Sequence, residues 1–428
     1  MIPTWPLLSL KPHCERWPGS SSALHTHEQL EVSIHESLAS LESLRNAWEQ
    51  LLSEFRGPTV FSTLEWLVPW WRAFGRDQEL KVLGFFDSPG RLVALAPLSL
   101  AGHRTALGLN LTLLRMMGDG SGDSDNLDLP VRPGYEKRLA ITLLDYLATA
   151  AFSWDFCQLN TLPGDSPAGN ALREELQRRM WTRFAEPRPR LVVEMPDHWE
   201  EYLRQLTSKE RGKVGVRTRR LEKHYSVRYI KCAESELQPA LDVLFRLHQS
   251  RWQVRGESGS FASSERRQFY EELSQALLKR GWLEFWLLEL NGKRVAAQFG
   301  FRYGKTVFSL QEGFDLAHSS DSVGYVLRAH VLKQLITDGV RRYDFLAGQS
   351  EAKSRWGAQL GHYVDIHFAR PWSVGALYLQ GLHRAESVKR QLRARLPRTA
   401  WAALHAVNAR LRRGPDRKPS TTNAEPKE

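Results

Sequence analysis

Apolar residues recur at helical spacing over 40–55, at Leu41, Leu44, Trp48, Leu51, Leu52 and Phe55, which predicts an amphipathic helix. A second, shorter helix is expected around Leu64, Trp66, Leu67, Trp70 and Trp71. Two apolar runs follow, 80–86 and 92–100, joined by Asp87-Ser88-Pro89-Gly90. They read as a strand, a tight turn and a strand. A helix over 139–151 and a buried strand over 156–159 complete this stretch.

A related series returns in the second half. A helix is expected over 265–279, with Phe269, Leu273, Ala276 and Leu277 on one face. Runs 282–290 and 294–303 flank Asn291-Gly292, the strongest short hairpin signal. A strand over 306–312, a helix over 324–337 and a strand over 342–346 follow. The turn glycines Gly90 and Gly292, and the segments Trp154-Asp155-Phe156 and Tyr343-Asp344-Phe345, lie roughly 190–200 residues apart. That period is far too long for a solenoid and indicates duplicated domains. The expected division is a leader over 1–29, similar α/β domains over 30–186 and 187–370, and a tail over 371–428. Pro187 and Pro189 mark the boundary between the halves.

The chain of 428 residues is 42% hydrophobic and 25% charged, which excludes wholesale disorder. No stretch reaches the roughly 18 apolar residues of a membrane span. The N-terminal region lacks a secretory pattern, so a cytoplasmic location is expected. Cys14, Cys157 and Cys232 form no CxxC pair, and the 14 histidines show no metal-ligand spacing. No metal site is expected. The net charge of +11 is concentrated. Residues 371–428 hold 12 Lys/Arg against 4 Asp/Glu, and residues 204–231 hold 10 against 2. The remainder is net acidic, so this is no general nucleic-acid coat.

Several segments resemble a known family. The first half has Phe61-Ser62-Thr63-Leu64-Glu65-Trp66, Trp70-Trp71, Met117-Gly118-Asp119-Gly120 and Asp125-Asn126-Leu127-Asp128. The second has Arg219-Arg220-Leu221-Glu222, His248-Gln249-Ser250-Arg251-Trp252 and Tyr343-Asp344-Phe345-Leu346-Ala347-Gly348. In order and spacing, over roughly residues 30–370, these resemble the CelD-type acetyltransferases of the GNAT superfamily. Those are linked to cellulose and exopolysaccharide synthesis and are similar to Fem peptidyltransferases in having two GNAT-like domains. The resemblance implies an α/β (α+β) fold of two tandem GNAT-like domains, each a mixed sheet flanked by helices, with a basic helical tail. Two positions depart from the family. Ala352 stands where an aromatic is usual, before Lys353 and Trp356, and Val323 precedes Gly324 where proline is usual.

The implied activity moves an acyl group from acyl-CoA to an amine or hydroxyl of a sugar or cell-envelope precursor, without a metal. The donor site is expected in the second half, the first being a degenerate copy. Ser322, Val323, Gly324 and Tyr325 would hold the donor pyrophosphate where a loop enters a helix, since unpaired N–H groups and the helix dipole favour an anion there. Lys353 would neutralise a phosphate or oxyanion, with Trp356 walling the pocket. Against this stand a solvated lysine and a core tryptophan. Glu312 is the first candidate base and Asp315 the second, unless both line a solvent-facing turn. Asp344 is costly to bury without hydrogen bonds and orients substrate or caps a local network. Gln298 reads substrate or bonds across the sheet.

The basic run 208–223, with Arg217 and Arg220 as substrate-binding candidates, attracts a polyanion or is a solvated helix face. A Fem-like donor would make that polyanion charged tRNA; otherwise nucleic acid is not an expected partner. The tail mixes Leu377, Leu382 and Val388 with Arg384, Lys389 and Arg390 and carries Trp401. That pattern suits the anionic inner face of a membrane, or helices packed on the body. A third reading is a non-catalytic scaffold of a polysaccharide synthase.

Overall fold

The computed structural model describes residues 29–395 except 89, 150 and 254–258. Residues 1–28 of the leader expected over 1–29, and the Trp401 part of the tail, lie outside the described residues. The first half contributes β1 (Glu31–His35), β2 (Gln78–Ser88), β3 (Arg91–Arg104), β4 (Asn110–Met116), β5 (Phe156–Pro163) and β6 (Thr182–Glu194). The second contributes β7 (Val227–Lys231), β8 (Leu283–Leu290), β9 (Lys293–Tyr303), β10 (Thr306–Phe314), β11 (Arg342–Ala347) and β12 (Gln359–Ala369). Among the described residues these twelve make one sheet, ordered β1-β2-β3-β4-β5-β12-β6-β11-β10-β9-β8-β7.

The order shows the duplication. Each half runs through three antiparallel strands and then a parallel pair, β4 with β5 and β10 with β11. The hairpin at Asn291-Gly292 forms as expected, both residues at positive φ (49° and 82°), the geometry of a tight two-residue turn. The helix expected over 40–55 is two pieces, Leu38–Ser43 and Arg45–Glu54, meeting at Leu44. Trp48, Trp66, Trp70, Trp154 and Trp356 are fully buried, so these tryptophans fill cores. In the pairing register Asp344 corresponds to Gln158, while Asp155 precedes its strand. The two aspartates are therefore not equivalent.

At the centre the halves exchange their last strands. β6 pairs with β11 of the second half, and β12 pairs with β5 of the first, while β6 and β12 lie side by side over eleven residue pairs. Pro187 and Pro189, read as a boundary, lie inside β6. The Pro189 carbonyl accepts from Gly348 N–H, so Pro189 faces away from β12. Its missing N–H points to the side where β11 has ended, and the sheet tolerates proline where no ladder bond is needed.

Candidate functional site

The parallel pair β10–β11 holds together for only three residue pairs, Thr306–Arg342, Val307–Tyr343 and Phe308–Asp344. Beyond them both strands continue but part. β10 shifts register between Ser309 and Gln311, and β11 shifts between Asp344 and Ala347, with Leu346 at φ 61°. Parting parallel strands leave backbone groups free of ladder bonds. In the first half the β4–β5 pair is equally short, but the side chains just beyond it meet: Asn160 Nδ2 donates to Asp119 Oδ2 at 2.8 Å.

Beside the end of β10 lies a cavity of about 250 Å³. Helix Val323–Thr337 starts at its edge. Ser322, Val323, Gly324, Tyr325, Glu312, Trp356 and Arg217 all line it, so seven of the residues singled out in sequence converge. Ser322 occupies the cap position in left-handed conformation (φ 58°), and its hydroxyl makes no cap bond. Its carbonyl accepts from Tyr325 and Val326. Among the described residues the N–H groups of Val323 and Gly324 have no hydrogen-bond partner, as the first donors of a helix generally do not. A Cβ at Gly324 would meet only the Phe314 ring, at 3.6 Å, so internal crowding does not demand the glycine.

Cations surround this helix start. Arg217 of helix Ser208–His224 lies over the Tyr325 ring, 4.5 Å from its centroid. Tyr325 in turn packs on Trp356, with centroids 4.5 Å apart. Arg328 projects from the first turns of the helix over Phe345 and Trp356. Arg355, His318 and Ala352 complete the rim. Arg328 and Arg355 lie within three residues of positions chosen from sequence but were not among them; Arg328 projects from the helix, while Arg355 stays exposed and pairs with Glu351 at 2.8 Å.

Other candidates fall elsewhere. Glu312 lines the cavity, but its carboxylate is ion-paired with Arg328, which suits it to positioning that cation better than to accepting a proton. Asp315 is off the cavity. It caps the turn Leu316–His318 and pairs with Lys293 at 2.8 Å, and that bond holds its carboxyl below the usual range. Gln298 donates to the Tyr343 hydroxyl at 2.7 Å and bonds across the sheet. Arg220 lies exposed on the outer face of its helix.

Lys353 does not face the cavity either. Its Nζ donates to the carbonyls of Phe345 and Ala347 at 2.8 Å and Gly348 at 3.3 Å. Three donors on three acceptors leave none for a phosphate. Asp344, 1% exposed, accepts from Leu346 N–H at 2.8 Å and faces Arg190 at 3.4 Å. It fixes the β11 irregularity, and burial pushes its carboxyl up against the pull of Arg190.

A further carboxylate reaches the end of β11 from the first half. Asp125 Oδ2 accepts from Ala347 N–H at 2.8 Å. Burial pushes its pKa up to about 6, against the pull of that bond. Next to it Asn126 (φ 53°) donates to the Tyr363 hydroxyl at 2.9 Å and accepts from Arg190 at 3.1 Å. The segment Asp125-Asn126 figured in the family resemblance without a role. Its signal was a run of acidic and amide residues in a glycine-rich loop, and nothing in that run says which strand end it meets.

Residues 208–354 match a family described as an acetyltransferase (GNAT) domain. No curated protein is a match to the chain. Among solved structures, FemX superposes with a TM-score of 0.56 at 12% identity, covering 78% of this chain and 97% of that one. A conserved protein of unknown function from Bacteroides thetaiotaomicron VPI-5482 gives 0.51 at 14% identity, covering 79% of this chain and 100% of that one. Residues 208–354 thus match a GNAT acetyltransferase domain, set in a chain whose overall fold is similar to that of FemX.

Proposed function

We propose that the protein is an acyltransferase that binds acyl-CoA at the parting of β10 and β11 and transfers its acyl group to an amine or hydroxyl. The observation that carries this reading is the convergence of the two free N–H groups of Val323 and Gly324 with Arg217 and Arg355 on one cavity. Two unpaired amides at a helix start and two guanidinium groups suit the pyrophosphate of coenzyme A. The thioester supplies an activated acyl group, so the protein's work is to position donor and acceptor and to polarise the carbonyl. Trp356 and Phe345, with Arg328 laid over them, wall the path between phosphates and strand ends.

The acceptor approaches from the junction of the halves, where Asp125 stands at the end of β11 with its pKa pushed up to about 6. In this reading Asp125 takes the proton of the attacking group, a task that favours a base poised near the working pH. Lys353, Asp344 and Arg190 hold the strand end on which that geometry depends. The resemblance read in the sequence points to a glycan or cell-envelope precursor as acceptor.

Calorimetric titration with acetyl-CoA and a longer acyl-CoA tests the donor. Saturable binding is expected, weakened about tenfold or more in Arg217→Ala and in Arg355→Ala, the effect of losing one charge-assisted hydrogen bond. No heat with either thioester overturns the reading. Salt-sensitive binding of charged tRNA would then move the donor site to the exposed face of Ser208–His224, which presents Lys209, Arg211, Arg219, Arg220 and Lys223.

A further inference from the structure

Helix Val374–Arg395 packs over the central strands β5, β12 and β6 and has two apolar faces. One is accounted for. Ala376 and Leu379 are buried with Leu111, Leu113 and Phe156, and Tyr378 shares a hydrogen bond of 2.8 Å with His103. Gly375 fixes the helix start against the body, because a Cβ there would lie 1.8 Å from the Asp155 carbonyl oxygen. The other face is bare. Val374 is 56%, Leu377 70% and Val388 54% exposed, and Trp372 just before the helix is 100% exposed.

Trp372 adopts φ 59°, a conformation bulky residues rarely take. The segment around it is tied down by Ser373 Oγ to the Arg370 carbonyl and by Arg370 to the Trp154 carbonyl, both 2.8 Å. The indole is thus held outward by a rigid turn. A second element adds to the same surface. The β3–β4 turn begins after Arg104, next to His103, and carries Leu107, 89% exposed, and Leu109, 55% exposed.

Charge indicates what covers this surface. Arg104, Arg384 and Lys389 are exposed beside it and, among the described residues, have no acidic partner. Glu386 is the one carboxylate of the helix, while Arg390 and His383 face Glu186 of β6 at 3.7 and 3.9 Å. Tryptophan and leucine side chains presented together and flanked by unpaired cations match the interfacial region of an anionic bilayer. No helix among the described residues is long and apolar enough to cross a membrane, so such contact is peripheral.

We propose that Trp372, the outer face of the helix that follows it and the β3–β4 turn form a docking surface for an anionic lipid bilayer. Co-sedimentation of the full chain tests this, with vesicles of phosphatidylcholine alone and with about a third phosphatidylglycerol. Partition onto the anionic vesicles is expected to exceed that onto the neutral ones about tenfold and to fall with added salt. Two double variants, Trp372→Ser with Leu377→Ser and Arg384→Glu with Lys389→Glu, are each expected to lose about tenfold of that partition. Leu360→Ser, at an exposed position on β12, is expected to keep it. All substituted side chains are exposed, and an unchanged melting curve separates lost docking from lost fold. Equal partition onto both vesicles, or no binding by the unmodified chain, overturns the proposal. So do double variants that bind as well as the unmodified chain. A solution dimer dissolved by Trp372→Ser would overturn it in favour of a second copy of the chain.

Discussion

Asp125 shows how much one side chain's surroundings decide. Nothing in Ser124-Asp125-Asn126 marks it apart from Asp119, Asp123 or Asp128 nearby. Asp128 is fully buried, accepts from Ser166 and Leu129, and is pushed up to about 7 by desolvation. Asp123 bonds Tyr270 and faces Arg266. Asp125 alone of these meets β11. Since burial raises its pKa to about 6, the carboxylate form that accepts a proton prevails above that pH. Turnover is expected to rise with pH through about 6, and Asp125→Asn is expected to remove that limb and lower kcat about 10²- to 10⁴-fold. A kcat/KM profile from about pH 5 to 8 checks both. A variant that keeps the limb would assign it to another group.

At the scale of elements, the hairpins, the helix before β11 and strands β10 and β11 were legible because hydrophobic period and turn residues agree there. The cavity's helix start was legible through Ser322, Gly324 and the resemblance. β6 and β12 were not. The prolines of β6 speak for a break in any local reading, and only the neighbour on each side shows that one flank of the strand needs no N–H. Lys353 was misread for the same reason. The family resemblance implies a ligand contact for it, whereas its ammonium gathers three carbonyls of the strand end. Lys353→Ala is therefore expected to destabilise the fold by about 1–3 kcal/mol while weakening acetyl-CoA binding less than Arg217→Ala does. Thermal melting and titration of both variants check this, and an unchanged melting temperature with lost affinity would return Lys353 to the phosphates.

Across the whole molecule the duplication is legible in the sequence, as two similar domains divided at 186. The exchanged strands cross that division: residues 182–192 pair with Gln359–Ala369, and each half's parallel pair is flanked by a strand of the other. One cooperative unfolding transition is expected in calorimetry, with equal calorimetric and van't Hoff enthalpies, and a fragment of residues 30–186 is expected not to fold alone. Two resolved transitions would count against this.

The exchange also bears on ancestry. A single half-length chain of this design would leave its terminal strand without a neighbour, unless two copies each lent theirs to the other. Such a pair would be obligatory, symmetric and dependent on protein concentration, and any change to one active cleft would appear in both. Joining the copies end to end turns that association into an intramolecular one and breaks the symmetry. One cleft is then free to close, as Asp119 and Asn160 close the first, while its loop is reassigned to serve the other.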